Sequence, residues 1–209
     1  MARRLIVGLT GALGAGKSTI ARVLRERGAY VIDADALGHR LLENNKVKLE
    51  LVRAFGNIIL DNEGVVDRRV LAEAAFASRA AVNTLNRITS APLLELIANT
   101  VEKAPVDALV IIDAALILEW HGALAVDIIV VVEAAEAARR RWTQEKYDAQ
   151  AFGQRDRAQL TPVKKRFAAD IVIRNDLDKD SLGVKGGTLF DLLIRIKNGE
   201  NILENPLII

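Results

Sequence analysis

Uninterrupted runs of Val, Ile and Leu recur along the chain and alternate with amphipathic stretches. The runs predict buried β-strands at residues 5–10, 30–32, 106–112 and 126–132, with a shorter fifth strand at 171–173. Because the apolar residues are consecutive and do not alternate with polar ones, both faces of each strand must be covered. This pattern is typical of a parallel sheet between two layers of helices.

The stretches between the runs carry apolar residues at helical spacing. In the first of them, four apolar residues share one face, and Gly28 is placed to end the helix. The helices predicted in this way cover residues 18–27, 37–55, 68–76, 81–102, 134–147 and 187–197. The alternation of strands and helices predicts a three-layer α/β domain.

The length of 209 residues is enough for one sizeable core and too small for two full domains. We expect a single domain over 1–209, with a core formed by 1–54, 104–133 and 169–209. The mostly helical stretch 55–103 is long for a simple crossover connection and predicts a helical insert. A second helical stretch, 134–168, is rich in arginine and separates the fourth strand from the fifth.

Composition narrows the functional classes. The formal net charge of +2 is too small to predict nucleic-acid binding, and no run approaches the roughly 18 apolar residues of a membrane span. The chain has no cysteine, which excludes disulfides and thiolate chemistry and fits a reducing compartment. We expect a cytoplasmic protein with neither a nucleic-acid nor a membrane partner.

The most specific motif lies directly after the first predicted strand. Residues 11–18 match G-x-x-x-x-G-K-[ST] and open an amphipathic helix, which is the context that a phosphate-binding loop requires. Glycines let the backbone approach phosphate, and the loop amides then face the anion together with the helix N-terminus. The residues predicted to bind a nucleotide are Gly11, Gly14, Ala15, Gly16, Lys17, Ser18 and Thr19.

Three residues are placed to assist phosphoryl transfer at this loop. Lys17 supplies a positive charge near the β- and γ-phosphates, and the Ser18 hydroxyl is suited to bind Mg²⁺. Asp113 ends an apolar run, as the Walker B aspartate does, and is the second predicted metal ligand. Glu119, six residues later, is a further candidate for the same crevice.

Two aspartates follow the second predicted strand. Asp33 and Asp35 come at the carboxyl end of that strand, where the ligand crevice of an α/β sheet lies. One of them could serve only as the cap of the next helix. Either carboxylate is otherwise a candidate to receive the proton of the accepting hydroxyl.

Basic residues are concentrated in the stretch 134–168. They predict a lid that closes over the transferred phosphoryl group, although the alternative of a solvated helix face is expected for at least half of them. The residues are Arg139, Arg140, Arg141, Arg155, Arg157, Lys164, Lys165 and Arg166.

Over nearly its whole length the sequence resembles the dephospho-CoA kinase family, P-loop kinases that resemble nucleoside monophosphate kinases. Beyond the phosphate loop, the segment Val-Ile-Asp-Ala-Asp at 31–35 is particular to that family. The other matching positions are Phe-Gly at 55–56, Gly64, Asp-Arg at 67–68, Leu-Ala at 71–72, Phe76, Leu-Ile-Leu-Glu at 116–119, Ala-Asp-Ile-Val-Ile at 169–173 and Asn175.

The resemblance implies a parallel-sheet P-loop kinase fold with an acceptor-binding insert and a lid. It implies ATP- and Mg²⁺-dependent phosphorylation of the ribose 3′-hydroxyl of dephospho-CoA, with Asp35 as the base. The insert 55–103 would bind the acceptor and 134–168 would form the lid. Arg141 matches the lid arginine, and Arg155 with Gln159 matches a later lid pair. We expect a monomer or a small homo-oligomer.

The sequence departs from the family pattern at several positions. Ala12 stands at a usual glycine, Ala115 at a usual proline and Ala138 at a usual glutamine of the lid. The tripeptide Ser-Ala-Pro at 90–92 replaces an expected His-Pro pair. These departures concern affinity and the lid more than the reaction.

Three other functions are compatible with a phosphate loop. Another nucleotide or small-molecule kinase would share the fold, since the fold does not determine the acceptor. Residues 61–64 fit the D-x-x-G pattern of a GTPase switch, but no Asn-Lys-x-Asp guanine motif follows. The presence of both Lys17 and Asp35 argues against a non-catalytic ATP-binding module.

Overall fold

A six-stranded parallel sheet organises the computed structural model, which describes residues 4–120, 122–145, 147–176, 179–202 and 206–209. The strand order is β2-β3-β1-β4-β5-β6, and every neighbouring pair is parallel. The strands are β1 (Leu5–Gly11), β2 (Tyr30–Asp33), β3 (Leu109–Asp113), β4 (Ile128–Glu133), β5 (Ile171–Arg174) and β6 (Leu207–Ile208).

Helices connect the strands, and a short 3₁₀ turn lies at Asn57–Ile59. The helices are α1 (Lys17–Glu26), α2 (Ala34–Leu41), α3 (Asn45–Phe55), α4 (Arg68–Phe76), α5 (Arg79–Glu102), α6 (Glu136–Thr143), α7 (Ala149–Arg157), α8 (Pro162–Phe167) and α9 (Lys179–Lys197). The predicted α/β fold with a parallel sheet is therefore confirmed. Within the part of the chain that the structure describes, no helix is both long enough and apolar enough to cross a bilayer.

The chain divides into two compact units. The first contains Met1–Asp33 and Thr100–Ile209, and the second is Ala34–Asn99. The core of the first unit forms between the sheet and its helices, with Leu9, Ile111 and Val130 at its centre. The second unit has its own core around Leu51 and Ile59.

The second unit begins before the predicted helical insert. The prediction places the start of the insert at residue 55, whereas α2 and α3 already belong to the second unit. The basic stretch 134–168 lies within the first unit. The division of the chain into core, acceptor-binding insert and lid stays a prediction.

The five predicted strands are present, and the sheet has one more. Strand β3 starts later than predicted, since the run begins at Val106, which is exposed and lies outside the strand. Strand β6 was not predicted, because its two residues are too few to show a pattern. It pairs with β5 and extends the sheet at that edge.

Two helix boundaries differ from the predictions for local reasons. The helix predicted over 37–55 is two helices, because the Asn44 side chain accepts hydrogen bonds from the amides of Lys46 and Val47 and starts α3 anew. The last helix starts at Lys179, eight residues before the predicted start at residue 187. Its glycines do not break it. A Cβ at Gly186 would lie 3.1 Å from Val23 of α1, so the glycine permits close packing of these helices.

The basic stretch 134–168 also differs from the prediction. One helix was predicted over 134–147, but α6 ends at Thr143 and two short helices follow. The Asp148 side chain caps α7 by accepting from the Ala151 amide, and Thr161 caps α8 by accepting from the Lys164 amide. This segment therefore turns twice and returns to the sheet at β5.

Candidate active site

Strand β1 delivers the phosphate loop, defined here as residues 11–18, to the middle of the sheet. It lies between β3 and β4, with Leu9 in register with Asp113 and Gly11 in register with Val132. The chain positions β3 and β4 on opposite sides of β1, and such a switch point opens a crevice at the carboxyl ends of the strands. The loop begins in that crevice.

The glycines of the loop are required by its geometry. Gly14 and Gly16 have φ angles of 78° and 101°, a region that side chains disfavour. Gly11 has a different reason, since a Cβ there would lie 2.5 Å from the carbonyl oxygen of Val132. Glycine thus suits the path of the loop at both positions that the motif specifies, Gly11 and Gly16, and also at Gly14.

A cleft of about 230 Å³ lies against the loop. Its lining includes four of the residues predicted to bind a nucleotide, together with residues of α6, α9 and the turn after β5. The lining residues are Gly14, Gly16, Ser18, Thr19, Trp142, Thr143, Asn175 and Leu182. Ala15, which was also predicted, buries its side chain in the core and has only its backbone to offer a ligand.

Lys17 and Asp113 form an ion pair at the base of the loop. Lys17 is the first residue of α1, and Asp113 is the last residue of β3 and only 8% exposed. Ser18 follows Lys17 and is exposed at the cleft. The structure thus places the predicted cation beside one predicted metal ligand and the second ligand next to it in the chain.

The two aspartates after the second strand have separate positions. Asp33 is the last residue of β2 and lies in register with Asp113 in the sheet. Asp35 lies in the first turn of α2, at the start of the second unit, and is exposed. The role of Asp35 as base stays a prediction.

Mg²⁺ requires oxygen ligands with room for phosphate oxygens and water. The Asp113 carboxylate and the exposed Ser18 hydroxyl provide such oxygens, so the donor chemistry at the loop fits this ion. Among the described residues no group of three or more His, Asp or Glu side chains forms a metal cluster of its own. Phosphate oxygens and water would complete the ligands of a metal ion at this position.

The basic residues of the segment 134–168 include some that are buried, some that are paired near the surface, and some that are exposed without a described ion pair. Arg139 is 2% exposed and Lys165 is fully buried. Arg140 and Arg166 lie nearer the surface, where they pair with Glu136 and Glu133.

Arg141 is exposed and directly precedes the cleft-lining Trp142 in the chain. Among the residues that the structure describes, no ion pair holds its guanidinium. The lid and the catalytic role of Arg141 stay predictions.

The predicted later lid pair is engaged inside the segment. The Arg155 guanidinium lies 5.0 Å from the ring centre of Tyr147. The Gln159 side chain accepts a hydrogen bond of 3.1 Å from Lys165 Nζ. Both residues therefore contribute to the internal structure of the basic segment.

The burial of Lys165 and its contacts were not predicted from the sequence. Its ammonium donates to the Ala115 carbonyl at 2.6 Å and lies 3.8 Å from the Glu119 carboxylate. Burial lowers the pKa of Lys165 from its ordinary value, and the negative charge of Glu119 partly opposes this shift. No local signal separates this lysine from Lys164, which is exposed.

Side chains from outside the loop also hold its carbonyl oxygens. Arg139 Nη1 donates to the Leu13 carbonyl at 2.9 Å, and Asn175 Nδ2 donates to the Ala15 carbonyl at 3.0 Å. Lys165 Nζ lies 3.4 Å from the Gly11 carbonyl oxygen. Residues far along the chain therefore complete the loop. All three stand in segments selected from the sequence, but none of them was predicted to hold a loop carbonyl.

Comparison with known proteins agrees with this geometry. The family model described as dephospho-CoA kinase matches residues 5–180. The chain belongs to the dephospho-CoA kinase family. A dephospho-CoA kinase from Aquifex aeolicus is 36% identical over 171 residues, covering 81% of this chain and 87% of the relative. One from Thermobifida fusca is 33% identical over 199 residues, covering 91% of this chain and 97% of the relative.

Solved structures show the same architecture. The protein TT1252 from Thermus thermophilus matches with a TM-score of 0.74 and 29% identity, covering 91% of this chain and 98% of its own. A dephospho-CoA kinase from Campylobacter jejuni matches with a TM-score of 0.61, covering 91% of this chain and 97% of its own. Its 19% identity supports the shared fold alone.

Two departures from the pattern of the dephospho-CoA kinase family have a structural setting here. Ala115, at a usual proline, uses its carbonyl oxygen, which accepts from Lys165 Nζ at 2.6 Å and from the Thr10 hydroxyl at 3.1 Å. Neither contact involves the Ala115 side chain. Ala12, at a usual glycine, is almost fully buried, and its carbonyl accepts from the Ala15 amide at 3.0 Å.

Proposed function

We propose that this protein transfers the γ-phosphoryl group of ATP to the ribose 3′-hydroxyl of dephospho-CoA, giving CoA and ADP. The observation that carries the proposal is the phosphate loop with its Lys17–Asp113 pair at the switch point of the sheet, in a chain of the dephospho-CoA kinase family. The new bond joins the 3′-oxygen to the γ-phosphorus. The bond between that phosphorus and the oxygen that bridges it to the β-phosphate breaks, and ADP leaves.

The phosphate loop binds the triphosphate. Its amides and the N-terminus of α1 face the phosphates, while the Lys17 ammonium contributes a charge to the β- and γ-groups. Ser18 and Asp113 would hold Mg²⁺ at this place. When bound, the ion neutralises the negative charge of the β- and γ-phosphate oxygens.

Asp35 is our candidate for the base. Its carboxylate is exposed, and Asp35 follows the last residue of β2 by two positions in the chain. It would accept the proton of the 3′-hydroxyl as the oxygen attacks phosphorus. The family resemblance at residues 31–35 supports this role.

Arg141 is our candidate for stabilising the transferred group. Phosphoryl transfer places negative charge on equatorial oxygens, and a guanidinium can bind two of them in its planar fork. Arg141 is exposed and directly precedes the cleft-lining Trp142 in the chain, whereas Arg140 is already paired with Glu136. Within the described part of the chain, no ion pair holds the Arg141 guanidinium.

The second unit would bind dephospho-CoA. It contains a mostly apolar groove of about 210 Å³ that includes Arg68 in its lining, a combination suited to an acceptor with a long uncharged arm and phosphate groups. The lining residues are Gly38, His39, Leu41, Leu42, Arg68, Leu71, Ala72, Phe76, Leu85, Thr89 and Leu93.

We further propose that the enzyme works in the cytoplasm as a monomer or small homo-oligomer, without nucleic-acid or membrane partners. The absence of cysteine and the small net charge of +2 support these assignments. Light scattering after size-exclusion chromatography measures the oligomeric state.

A coupled assay of ADP release with ATP, Mg²⁺ and dephospho-CoA tests the reaction. We expect ADP release that depends on dephospho-CoA and a product whose mass increases by one phosphoryl group. Phosphorus NMR of the product locates the phosphate on the 3′-oxygen. ADP release with another hydroxyl compound and none with dephospho-CoA would instead identify a different kinase.

The base assignment predicts a selective defect in Asp35→Asn. The amide retains the size of the side chain but cannot accept the proton, so kcat should fall about a hundredfold or more while the Kd for ATP changes little. Asp33→Asn is the matched control, and its kcat should stay above that of Asp35→Asn. Parent-like turnover in Asp35→Asn would reject the assignment.

A further inference from the structure

The conformation of the phosphate loop depends on the partners of its carbonyl oxygens as well as on its amides. An amide of the loop can face an anion only if the neighbouring carbonyls point elsewhere and have partners there. Leu13 lies in the middle of the loop, and its carbonyl accepts from the Arg139 side chain at 2.9 Å. The loop conformation therefore depends on a residue 126 positions away.

Arg139 is held firmly in a buried site. Its Nη1 lies 2.7 Å from Asp156 Oδ1 and its Nη2 lies 3.4 Å from Asp156 Oδ2, so the carboxylate of α7 binds the guanidinium at two atoms. The Phe152 ring centre lies 5.5 Å from the guanidinium carbon. With the Leu13 carbonyl, these partners determine where the side chain points.

Helix α6, which contains Arg139, also contacts the loop through its backbone. A Cβ on Gly14 would lie 3.0 Å from the Arg139 carbonyl oxygen and 2.8 Å from the Thr143 methyl group. The Thr143 hydroxyl donates to that carbonyl at 2.8 Å. Helix α6 thus touches the loop at two successive residues, Leu13 through a side chain and Gly14 through close backbone packing.

Fold stability is a poor explanation for a buried arginine at this position. Taking a guanidinium out of water costs free energy that an ion pair often fails to recover. In the described part of the chain, Arg139 Nε is also buried without a hydrogen-bond partner, which adds to the cost. Arg139 is too enclosed to reach a transferred phosphoryl group, so its contact with Leu13 is the feature that links it to function.

We propose that Arg139 is a positioning residue that holds the Leu13 carbonyl, and with it the phosphate loop, in the conformation that binds a triphosphate, with Asp156 as its anchor. The proposal rests on the proposed function only in that the loop binds ATP. On this proposal the basic segment 134–168 belongs to the nucleotide site even when it does not close over the substrate.

Replacing Arg139 tests this role through ligands that share only phosphates. We would measure the Kd of Mg²⁺-ATP and of Mg²⁺-tripolyphosphate by calorimetry for the parent and Arg139→Met. Loss of a charged hydrogen bond to the loop should weaken both ligands by a similar factor, about tenfold. The KM for ATP should rise in parallel, while the KM for dephospho-CoA and kcat stay within about threefold.

Arg140→Met is the matched control. It removes the same charge from the same helix and also loses a stacking contact with Phe152, 4.6 Å from the ring centre. Among the described residues, the ion pair of the Arg140 guanidinium is with Glu136, and no hydrogen bond joins that guanidinium to the loop. Its ligand affinities should match those of the parent within about twofold. A loss in Arg140→Met equal to that in Arg139→Met would attribute the effect to general charge and overturn the proposal.

Asp156→Asn tests the anchor with less disturbance. It should weaken both phosphate ligands in the same direction by a smaller factor, about threefold, and the double variant should lose less than the product of the two single effects. If Arg139→Met does not fold, Asp156→Asn and Arg139→Lys decide the question. Parent-like affinity for ATP and tripolyphosphate in the folded variants, with only the Tm lowered, would show a purely structural role and overturn the proposal.

These measurements are independent of the acceptor. A parent protein that binds ATP but releases no ADP with dephospho-CoA would refute the proposed function, and the affinity comparison between parent and Arg139→Met would still decide the role of Arg139.

Discussion

The phosphate loop and the basic segment 134–168 both carry residues suited to phosphate, yet they obtain their properties differently. In the loop, Gly14 and Gly16 have a local backbone reason, which is their positive φ angle. In the basic segment, similar side chains have opposite environments, since Lys164 is exposed and Lys165 is buried. The role of a motif that depends on backbone geometry can be predicted from sequence. The roles of charged residues in a run can be assigned only when their surroundings in the fold are known.

The two regions are also parts of one site. Arg139 and Lys165 are buried and donate to carbonyl oxygens of the loop, while Arg141 is exposed. The basic segment thus divides its cations between support of the loop and contact with solvent or ligand. Three predictions separate these contributions.

Replacing the loop lysine should have the largest effect. Lys17→Ala removes the charge that faces the β- and γ-phosphates and leaves Asp113 without its ionic partner, so transfer should be essentially abolished, with kcat/KM lower by about a thousandfold. Steady-state ADP release measures the loss, and circular dichroism checks the fold. Lys164→Ala, which removes an exposed lysine of the basic segment, is the control and should retain parent activity. An active Lys17→Ala variant would show that loop amides alone suffice.

Replacing the exposed arginine should have an intermediate effect. Arg141→Met should lower kcat about a hundredfold with a smaller change in the Kd for ATP. The reason is that the guanidinium would interact more strongly with the negative charge of the transition state than with that of bound ATP. Arg140→Met, whose charge is already paired with Glu136, should stay near the parent. Equal activities of the two variants would assign Arg141 to the solvated surface with its neighbour.

The smallest expected effect is on the pH dependence of the free energy of unfolding, through the protonation of Lys165. Because burial lowers the pKa of Lys165 below 10.5, there is an alkaline window just under 10.5 in which the unfolded chain holds a proton that the folded chain lacks. In that window, stability should rise with pH, by at most about 1.4 kcal/mol per pH unit. Below the lowered pKa both states are protonated and the slope vanishes.

Urea unfolding at a series of alkaline pH values checks this slope. The free energy of unfolding of the parent, relative to that of Lys165→Met, should increase toward pH 10.5. Lys164→Met, which removes an exposed lysine, should show no such relative slope. A relative slope of the opposite sign would mean that the pair with Glu119 outweighs burial.

Much of the fold was predictable because its signals are short in range. The strands that form the centre of the sheet are continuous apolar runs, and β1 leads into a loop whose glycines and lysine are contiguous in the chain. The failures were equally local: Asn44 caps a new helix inside a stretch of uniform helical periodicity, and β6 has only two residues. Gly186 within α9 permits close packing on α1, although in sequence the glycines at 186–187 resemble a helix start.

The sequence by itself determined the parallel α/β architecture, the phosphate loop, and the aspartates at strand ends, since hydrophobic period and backbone geometry act over a few residues. Only the tertiary structure decided which cations are buried. Arg139 meets its loop carbonyl across 126 positions, and Lys165 meets the Gly11 carbonyl across 154. A long flexible cation has no local preference strong enough to select its partner, so the assembled sheet and helices must provide one.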